Sequence, residues 1–143
     1  MQNTTHRKVD IHKAGGILIQ NRRLLLERSV GKEMFLNPGG KVDPGETVMQ
    51  ALVRELKEEF TIDVDPLDCE EFGTFYAAAA GQEHRWLRMD LFMVKRWRGE
   101  VKPDNEVEEI TWVTMRDLES GLKTGSIFEH EIIPRLKARD LID

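Results

Sequence analysis

Three glutamates crowd the end of one predicted helix, in the segment GGKVDPGETVMQALVRELKEEF (39–60). Glu55, Glu58 and Glu59 stand at i, i+3 and i+4, so they share one helix face. This face borders the apolar stripe of the helix, and Glu58 and Glu59 lie in its last turns, where the helix dipole disfavours negative charge. A solvated surface would mix charges of both signs and lie opposite the stripe. Because a hard divalent cation relieves such repulsion, the spacing predicts a magnesium site.

Neighbouring residues could support this site. Arg54 lies four residues before Glu58, close enough on a helix to hold a carboxylate in position. Glu46, at the start of the helix, either reaches the same arginine or complements the positive end of the helix dipole. Gly39 and Gly40 precede the helix and are expected to turn the chain sharply. Backbone can approach a ligand closely there, and a free carbonyl can serve as another metal oxygen.

The helix that must position these glutamates is predicted over 47–60. Thr47 and Gln50 form a T-x-x-Q capping box after a Pro-Gly turn, and good helix formers follow. A second helix is predicted over 126–142, where apolar residues recur at roughly helical spacing, shortened or kinked at Pro134.

Runs rich in apolar residues predict the strands, which lie at 14–20, 22–29, 34–40, 69–80, 84–97 and 108–115. The first two are expected to pair as a hairpin around Asn21. Strands and helices mixed in this order indicate an α/β architecture with helices on both faces of a mixed sheet.

Composition and charge argue against some classes of function. The 143 residues carry a net charge of −5, which suits one domain over 1–143 and argues against a dedicated nucleic-acid binder. Cys69 is the only cysteine, so neither a disulfide framework nor a cysteine zinc site is expected, and a cytoplasmic location fits best. No signal-peptide pattern or run of membrane-spanning length occurs, so no membrane association is expected.

Residues 40–62 resemble the Nudix box of the Nudix hydrolases, G-x5-E-x7-R-E-U-x-E-E-x-G-U, where U is a bulky aliphatic residue. The match begins at Gly40, continues through Glu46 and Arg54, and covers eight of the nine specified positions. The one departure is Thr61, where the family has glycine. That glycine closes the helix in a left-handed conformation, which a β-branched residue adopts poorly. In general appearance the chain looks most like the MutT-like branch of the family.

The resemblance implies a Nudix α/β/α sandwich with a mixed β-sheet between helices. It also implies hydrolysis of a nucleoside diphosphate linked to a moiety X, with Mg²⁺ or Mn²⁺, and a homodimer is compatible with the family. Carried over by position, the metal ligands would be Glu55, Glu58, Glu59 and the carbonyl of Gly40, with Arg54 and Glu46 orienting them. Glu58 is the preferred catalytic base. Glu106 and Glu109 are its rivals in NEVEE (105–109), although a plain polar loop explains them equally well.

Substrate contacts are less sharply indicated. Arg28 and Lys41 flank the box in sequence and are candidates for binding phosphate, although residues of these types are more often ordinary surface residues. Family signatures for NADH, ADP-ribose and diadenosine polyphosphate substrates are not found after the box. A nucleoside triphosphate, including an oxidised purine nucleotide, cleaved to monophosphate and pyrophosphate is therefore favoured. The alternatives are an ADP-ribose or nucleotide-sugar pyrophosphatase and a non-catalytic module that senses nucleotides.

Overall fold

A computed structural model describes residues 7–143 of the chain. Its strands are β1 (Ile11–Ile17), β2 (Ile19–Gln20), β3 (Arg23–Ser29), β4 (Gly39–Lys41), β5 (Cys69–Ala79), β6 (Gln82–Val94) and β7 (Val107–Val113). Its helices are α1 (Val48–Phe60), α2 (Met115–Glu119) and α3 (Ile133–Ala138), and a π-helical turn over Phe128–Ile132 leads into α3.

The strands form two sheets. The first has the order β4-β1-β6-β5, and the second has the order β2-β3-β7. Strands β1 and β6 are parallel, whereas the other neighbours are antiparallel, so the first sheet is mixed as predicted.

Two apolar cores lie on opposite sides of the strands. Helix α1 buries one face in the first core, whose members include Ala51, Leu52, Leu56 and Phe60 together with Ala14, Leu18 and Leu25. The C-terminal helical segment fills the second core, with Ile127, Phe128, Ile132, Ile133 and Leu136 packed near Ile17, Leu24 and Leu91. Helices therefore cover both sides of the strands, which confirms the predicted α/β/α sandwich. Within residues 7–143, no helix has the length and apolar character needed to span a bilayer.

Both ends of α1 are capped. Thr47 accepts from the Gln50 backbone N–H at 3.1 Å, and the Gln50 side chain accepts from the Thr47 N–H at 2.8 Å, which confirms the capping box. At the other end Thr61 adopts the left-handed conformation (φ 60°, ψ 25°), and its N–H bonds to the Lys57 carbonyl. Its hydroxyl donates to the Glu100 carbonyl at 3.2 Å, which offsets part of a strain of about 1–2 kcal/mol. Threonine thus keeps the glycine-type cap, and Glu58 and Glu59 stay in the helix.

Three local predictions need correction. The run 14–20 is broken at Leu18: β1 joins the first sheet, and only the short β2 forms the hairpin with β3. Gly39 and Gly40 do not turn the chain but pair with β1 as part of edge strand β4. The second helix ends at Ala138 and not at 142, and the turn before Pro134 is widened to a π-helix, because Pro134 has no N–H to donate and its ring crowds that turn.

Candidate active site

Strand β4 lies directly against the glutamates of α1. A Cβ atom added to Gly40 would lie 2.4 Å from the Glu55 carboxyl carbon and 2.6 Å from its Oε1. Glycine is therefore needed here because the Glu55 carboxylate packs on the bare backbone of the strand.

The ladder between β1 and β4 sets the direction of the carbonyls. Val42 donates to His12 and Gly16 donates to Pro38, so the hydrogen-bonded pair midway between them is Ala14 with Gly40. The Gly40 carbonyl therefore faces β1, which does not support it as a metal ligand. The carbonyl of the next residue, Lys41, points to the other side and accepts from Arg54 at 3.1 Å.

Gly40→Ala is expected to displace the Glu55 carboxylate and lower kcat about 10- to 100-fold while costing about 1–3 kcal/mol in unfolding free energy. Steady-state kinetics and urea denaturation measure the two effects. Gly125→Ala is the matched control, since its Cβ would make only an ordinary contact at 3.4 Å with Leu36. Full activity of Gly40→Ala would show that the Glu55 position is unimportant.

Glu55 and Glu59 form a carboxyl pair. Burial, a hydrogen bond from Glu55 and the charge of Glu55 raise the pKa of Glu59 far above its ordinary value. The pair therefore shares a proton, because two adjacent carboxylates cannot both ionise cheaply without a cation. Within residues 7–143, no group of three histidine, cysteine, aspartate or glutamate side chains is arranged to hold a metal ion. The structure brings Glu55 and Glu59 together as a pair, and the predicted part of Glu58 as a third ligand stays a prediction.

Arg54 is the centre of the ion-pair network. Its Nε and Nη2 bind the two oxygens of Glu46 at 2.7 and 2.9 Å, and its Nη1 donates to Glu55 at 2.9 Å. These bonds, together with the backbone N–H of Asp43, lower the pKa of Glu46 to about 2. Of the two roles considered for Glu46, the structure therefore favours the link to Arg54.

Glu58 lies on the exposed side of this network. Its carboxylate is 3.4 Å from Arg54 Nη1, its side chain is 51% exposed, and its backbone carbonyl accepts from Asn105. Glu58 is thus held near Glu55 through Arg54, but it does not join the carboxyl pair.

The two alternative catalytic bases, Glu106 and Glu109, have different surroundings in the structure. The charge of Glu106 raises the pKa of both Glu59 and Glu27, so Glu106 lies within electrostatic range of these two carboxyl groups. Glu109 lies opposite Arg28 across β3 and β7, and its carboxylate accepts from Arg28 Nη2 at 2.9 Å. Arg28 Nη1 donates to Glu108 and to a backbone carbonyl. The terminal nitrogens of Arg28 are thus already engaged, which does not support the predicted phosphate contact of Arg28, and the Glu109 carboxylate is held in an ion pair away from its predicted role as a base.

Two charged residues near the pair escaped prediction. Glu27 is only 5% exposed, burial raises its pKa to about 7, and its one side-chain hydrogen bond within residues 7–143 is a 3.5 Å contact from Ser29. Lys13 on β1 is partly buried and interacts with the charges of Glu27, Glu55 and Glu59. The sequence held one signal for both residues, which was a charged residue within a largely apolar strand. Glu27 stands in LLLER and Lys13 stands in HKAGG.

The raised pKa values of Glu59 and Glu27 predict how the stability of the metal-free protein depends on pH. Above the ordinary value of 4.5 the folded protein keeps protons that the unfolded chain has released, so the free energy of unfolding falls as pH rises. For Glu27 this decrease ends near pH 7, and its contribution to the free energy of unfolding falls by up to about 3 kcal/mol. Urea denaturation in EDTA between pH 5 and pH 8 measures this slope. Glu27→Gln and Glu59→Gln should each flatten it, and stability that rises across the window would contradict the assignment.

Comparisons with known proteins show which family the chain is similar to. The NUDIX domain model matches residues 10–136. The chain is 32% identical over 99 residues to an 8-oxo-dGTP diphosphatase of Proteus vulgaris, covering 66% of this chain and 84% of that protein. It is 36% identical over 78 residues to an RNA pyrophosphohydrolase of Halorhodospira halophila, covering 53% of this chain but only 38% of that protein.

A solved structure of MutT, from a study of the Aliivibrio salmonicida and Vibrio cholerae proteins, superimposes with a TM-score of 0.69 at 26% identity and covers 90% of this chain and 98% of its own. The family resemblance read from residues 40–62 is confirmed. The chain belongs to the Nudix family and is a MutT-like hydrolase that acts on phosphoanhydride bonds.

Proposed function

We propose that the protein hydrolyses a nucleoside triphosphate to a monophosphate and pyrophosphate, with a divalent cation held by Glu55 and Glu59. The observation that carries the proposal is the carboxyl pair on α1, where burial and the charge of Glu55 raise the pKa of Glu59 and a cation would remove the repulsion. Similarity to an 8-oxo-dGTP diphosphatase supports a purine nucleoside triphosphate, including an oxidised one, as the substrate.

The donors in this site fit Mg²⁺. Magnesium is usually bound by one or two carboxylates together with substrate phosphates and water, and not by a full protein cage. Glu55 and Glu59 supply the two carboxylates, and Glu58 stands one helical turn from Glu55 as a further ligand. By the alternation of β4, the free backbone oxygen on the side of Arg54 belongs to Gly39 and not to Gly40. Mn²⁺ prefers similar oxygen ligands and is expected to substitute.

When bound, the cation would neutralise phosphate charge and acidify a coordinated water. The chain's own groups do the positioning: Arg54 holds Glu55, and Glu46 holds Arg54. Glu58 is the proposed base, since its exposed carboxylate lies next to Arg54 and can accept a proton from the attacking water. Glu106 is the remaining rival because its charge acts on Glu59. Lys41 follows Gly40 on β4, where its carbonyl accepts from Arg54, and its side chain is proposed to bind phosphate.

A second candidate substrate is RNA with a 5′-triphosphate, favoured by the similarity to an RNA pyrophosphohydrolase. The bond broken would be the same, but the chain would have to accept a polyanion despite its net charge of −5.

The test is a hydrolysis panel with Mg²⁺ and product identification. The panel covers canonical and oxidised nucleoside triphosphates, ADP-ribose, a nucleotide sugar and triphosphorylated RNA. The proposal predicts the highest kcat/KM for a nucleoside triphosphate, with release of pyrophosphate. Preference for ADP-ribose or the nucleotide sugar, or release of orthophosphate, would contradict it.

A further inference from the structure

Two lysines face each other across the edge of the first sheet. Lys13 on β1 lies directly opposite Lys41 on β4. The neighbouring pairs His12–Val42 and Ala14–Gly40 are hydrogen-bonded, so the lysine pair between them is the non-hydrogen-bonded type, in which side chains approach most closely. Like charges at such a position are destabilising.

Lys13 has no close counter-ion to offset this repulsion. Among the ion pairs of residues 7–143, none within 4.0 Å involves Lys13 or Lys41, whereas Lys57 and Lys95 each have a carboxylate partner. Burial, followed by the charge of Lys41, lowers the pKa of Lys13. The register places Lys13 in one row with Lys41 on one side and Met89 on the other, which explains its partial burial.

The charges around Lys13 show where an anion would fit. Lys41 contributes a positive charge from β4, and the negative charges come from Glu27 on β3 and from Glu55 and Glu59 on α1. Lys13 is therefore within electrostatic range of both a second ammonium group and the carboxyl pair. A phosphate chain that reaches a cation at the pair would pass beside both lysines.

We propose that Lys13 binds substrate phosphate, and that Lys13 and Lys41 together bind the phosphates that leave as pyrophosphate. The inference rests on the proposed function and deepens it, because two ammonium groups beside a metal site suit the charge of a triphosphate better than that of a diphosphate-linked compound. The rival explanation is that Lys13 is only an internal counter-ion for the glutamates.

Binding of inorganic tripolyphosphate tests the proposal without requiring turnover. Calorimetry in Mg²⁺ compares the unaltered protein with Lys13→Met and Lys13→Arg, and with Lys95→Met as a control for the loss of one exposed positive charge. Lys13→Met is expected to weaken binding about tenfold or more, and Lys13→Arg to stay within about threefold. Lys95→Met should bind tripolyphosphate as tightly as the unaltered protein does.

Kinetics supply the second readout. With a nucleoside triphosphate, Lys13→Met should raise KM about tenfold with a much smaller change in kcat, and its effect on ADP-ribose turnover should be weaker. Thermal melts confirm folding, and Lys13→Arg keeps the test available if Lys13→Met unfolds. Tripolyphosphate binding that is absent from the unaltered protein, or unchanged in Lys13→Met, would overturn the proposal. Binding that depends on Lys13 without hydrolysis of any triphosphate would instead overturn the proposed function alone.

Discussion

Glu59→Gln is expected to lower kcat for Mg²⁺-dependent triphosphate hydrolysis by about 10³-fold, equivalent to about 4 kcal/mol of transition-state stabilisation. The amide keeps the shape of the side chain but removes the charge that a cation needs. The partly buried pair with Glu55 would then require no shared proton, so the metal-free variant should fold at least as stably as the unaltered protein. Glu55→Gln should have the same effect on kcat.

Steady-state kinetics with a Mg²⁺ titration, together with urea denaturation in EDTA, measure both parts of this prediction. Glu83→Gln, an exposed position near the tip of the β5–β6 hairpin, is the matched control and should leave kcat unchanged. A Glu59→Gln variant with more than about a tenth of the original kcat would place the chemistry elsewhere.

Arg54→Ala should reduce both stability and activity. The substitution removes both bonds to Glu46, the bond to Glu55 and the bond to the Lys41 carbonyl. It also leaves the carboxylates of Glu46 and Glu55 without the positive charge of the guanidinium group. The side chain of Arg54 is 28% exposed, so the expected loss in unfolding free energy is about 2–3 kcal/mol. Because Glu55 would no longer be held in position, kcat should fall about 10²- to 10³-fold.

Arg54→Lys separates charge from geometry. Lysine keeps the positive charge but cannot bind Glu46 with two parallel bonds while also reaching Glu55, so it should recover stability only in part and kcat by less than about tenfold. Arg96→Ala removes an arginine that is 82% exposed and serves as the surface control. Full recovery of kcat by lysine would show that only the charge at position 54 matters.

Much of this site could be predicted from local sequence, because its parts are close together in the chain. The capping box at Thr47 and the spacing of Glu55 and Glu59 depend on helix geometry alone, and both appear in the structure. The link between Arg54 and Glu46 spans eight residues within one turn-and-helix unit, so it too was accessible. The fold class followed from the order of strands and helices, which the sandwich confirms.

Residues that depend on long-range pairing were harder to predict. Lys13 on β1 and Glu27 on β3 come from different sheets, and no local pattern shows that both act on the glutamates of α1. Gly39 and Gly40 were read as a turn because glycine pairs usually punctuate a chain, yet here Gly40 leaves room for the Glu55 carboxylate. Arg28 was chosen for its position at a strand end, but its partners on β7 could not be seen without the strand register.

Several inferences from the sequence remain predictions. These are the extent of the domain over 1–143, the cytoplasmic location, the homodimer and the assignment of Glu58 as the base. Comparison of kcat for Glu58→Gln and Glu106→Gln across pH would separate the two candidate bases, since loss of the base removes the acidic limb of the pH–rate profile.

The most direct test of the central claim is to count the protons released when Mg²⁺ binds. Calorimetric titrations at pH 7 in two buffers of different ionisation enthalpy give this number. Because the carboxyl pair of Glu55 and Glu59 shares a proton that a cation must displace, we predict release of about one proton per cation. Glu59→Gln should bind Mg²⁺ weakly and release none. Mg²⁺ binding that releases no proton, or that is unaffected by Glu55→Gln and Glu59→Gln, would contradict the account.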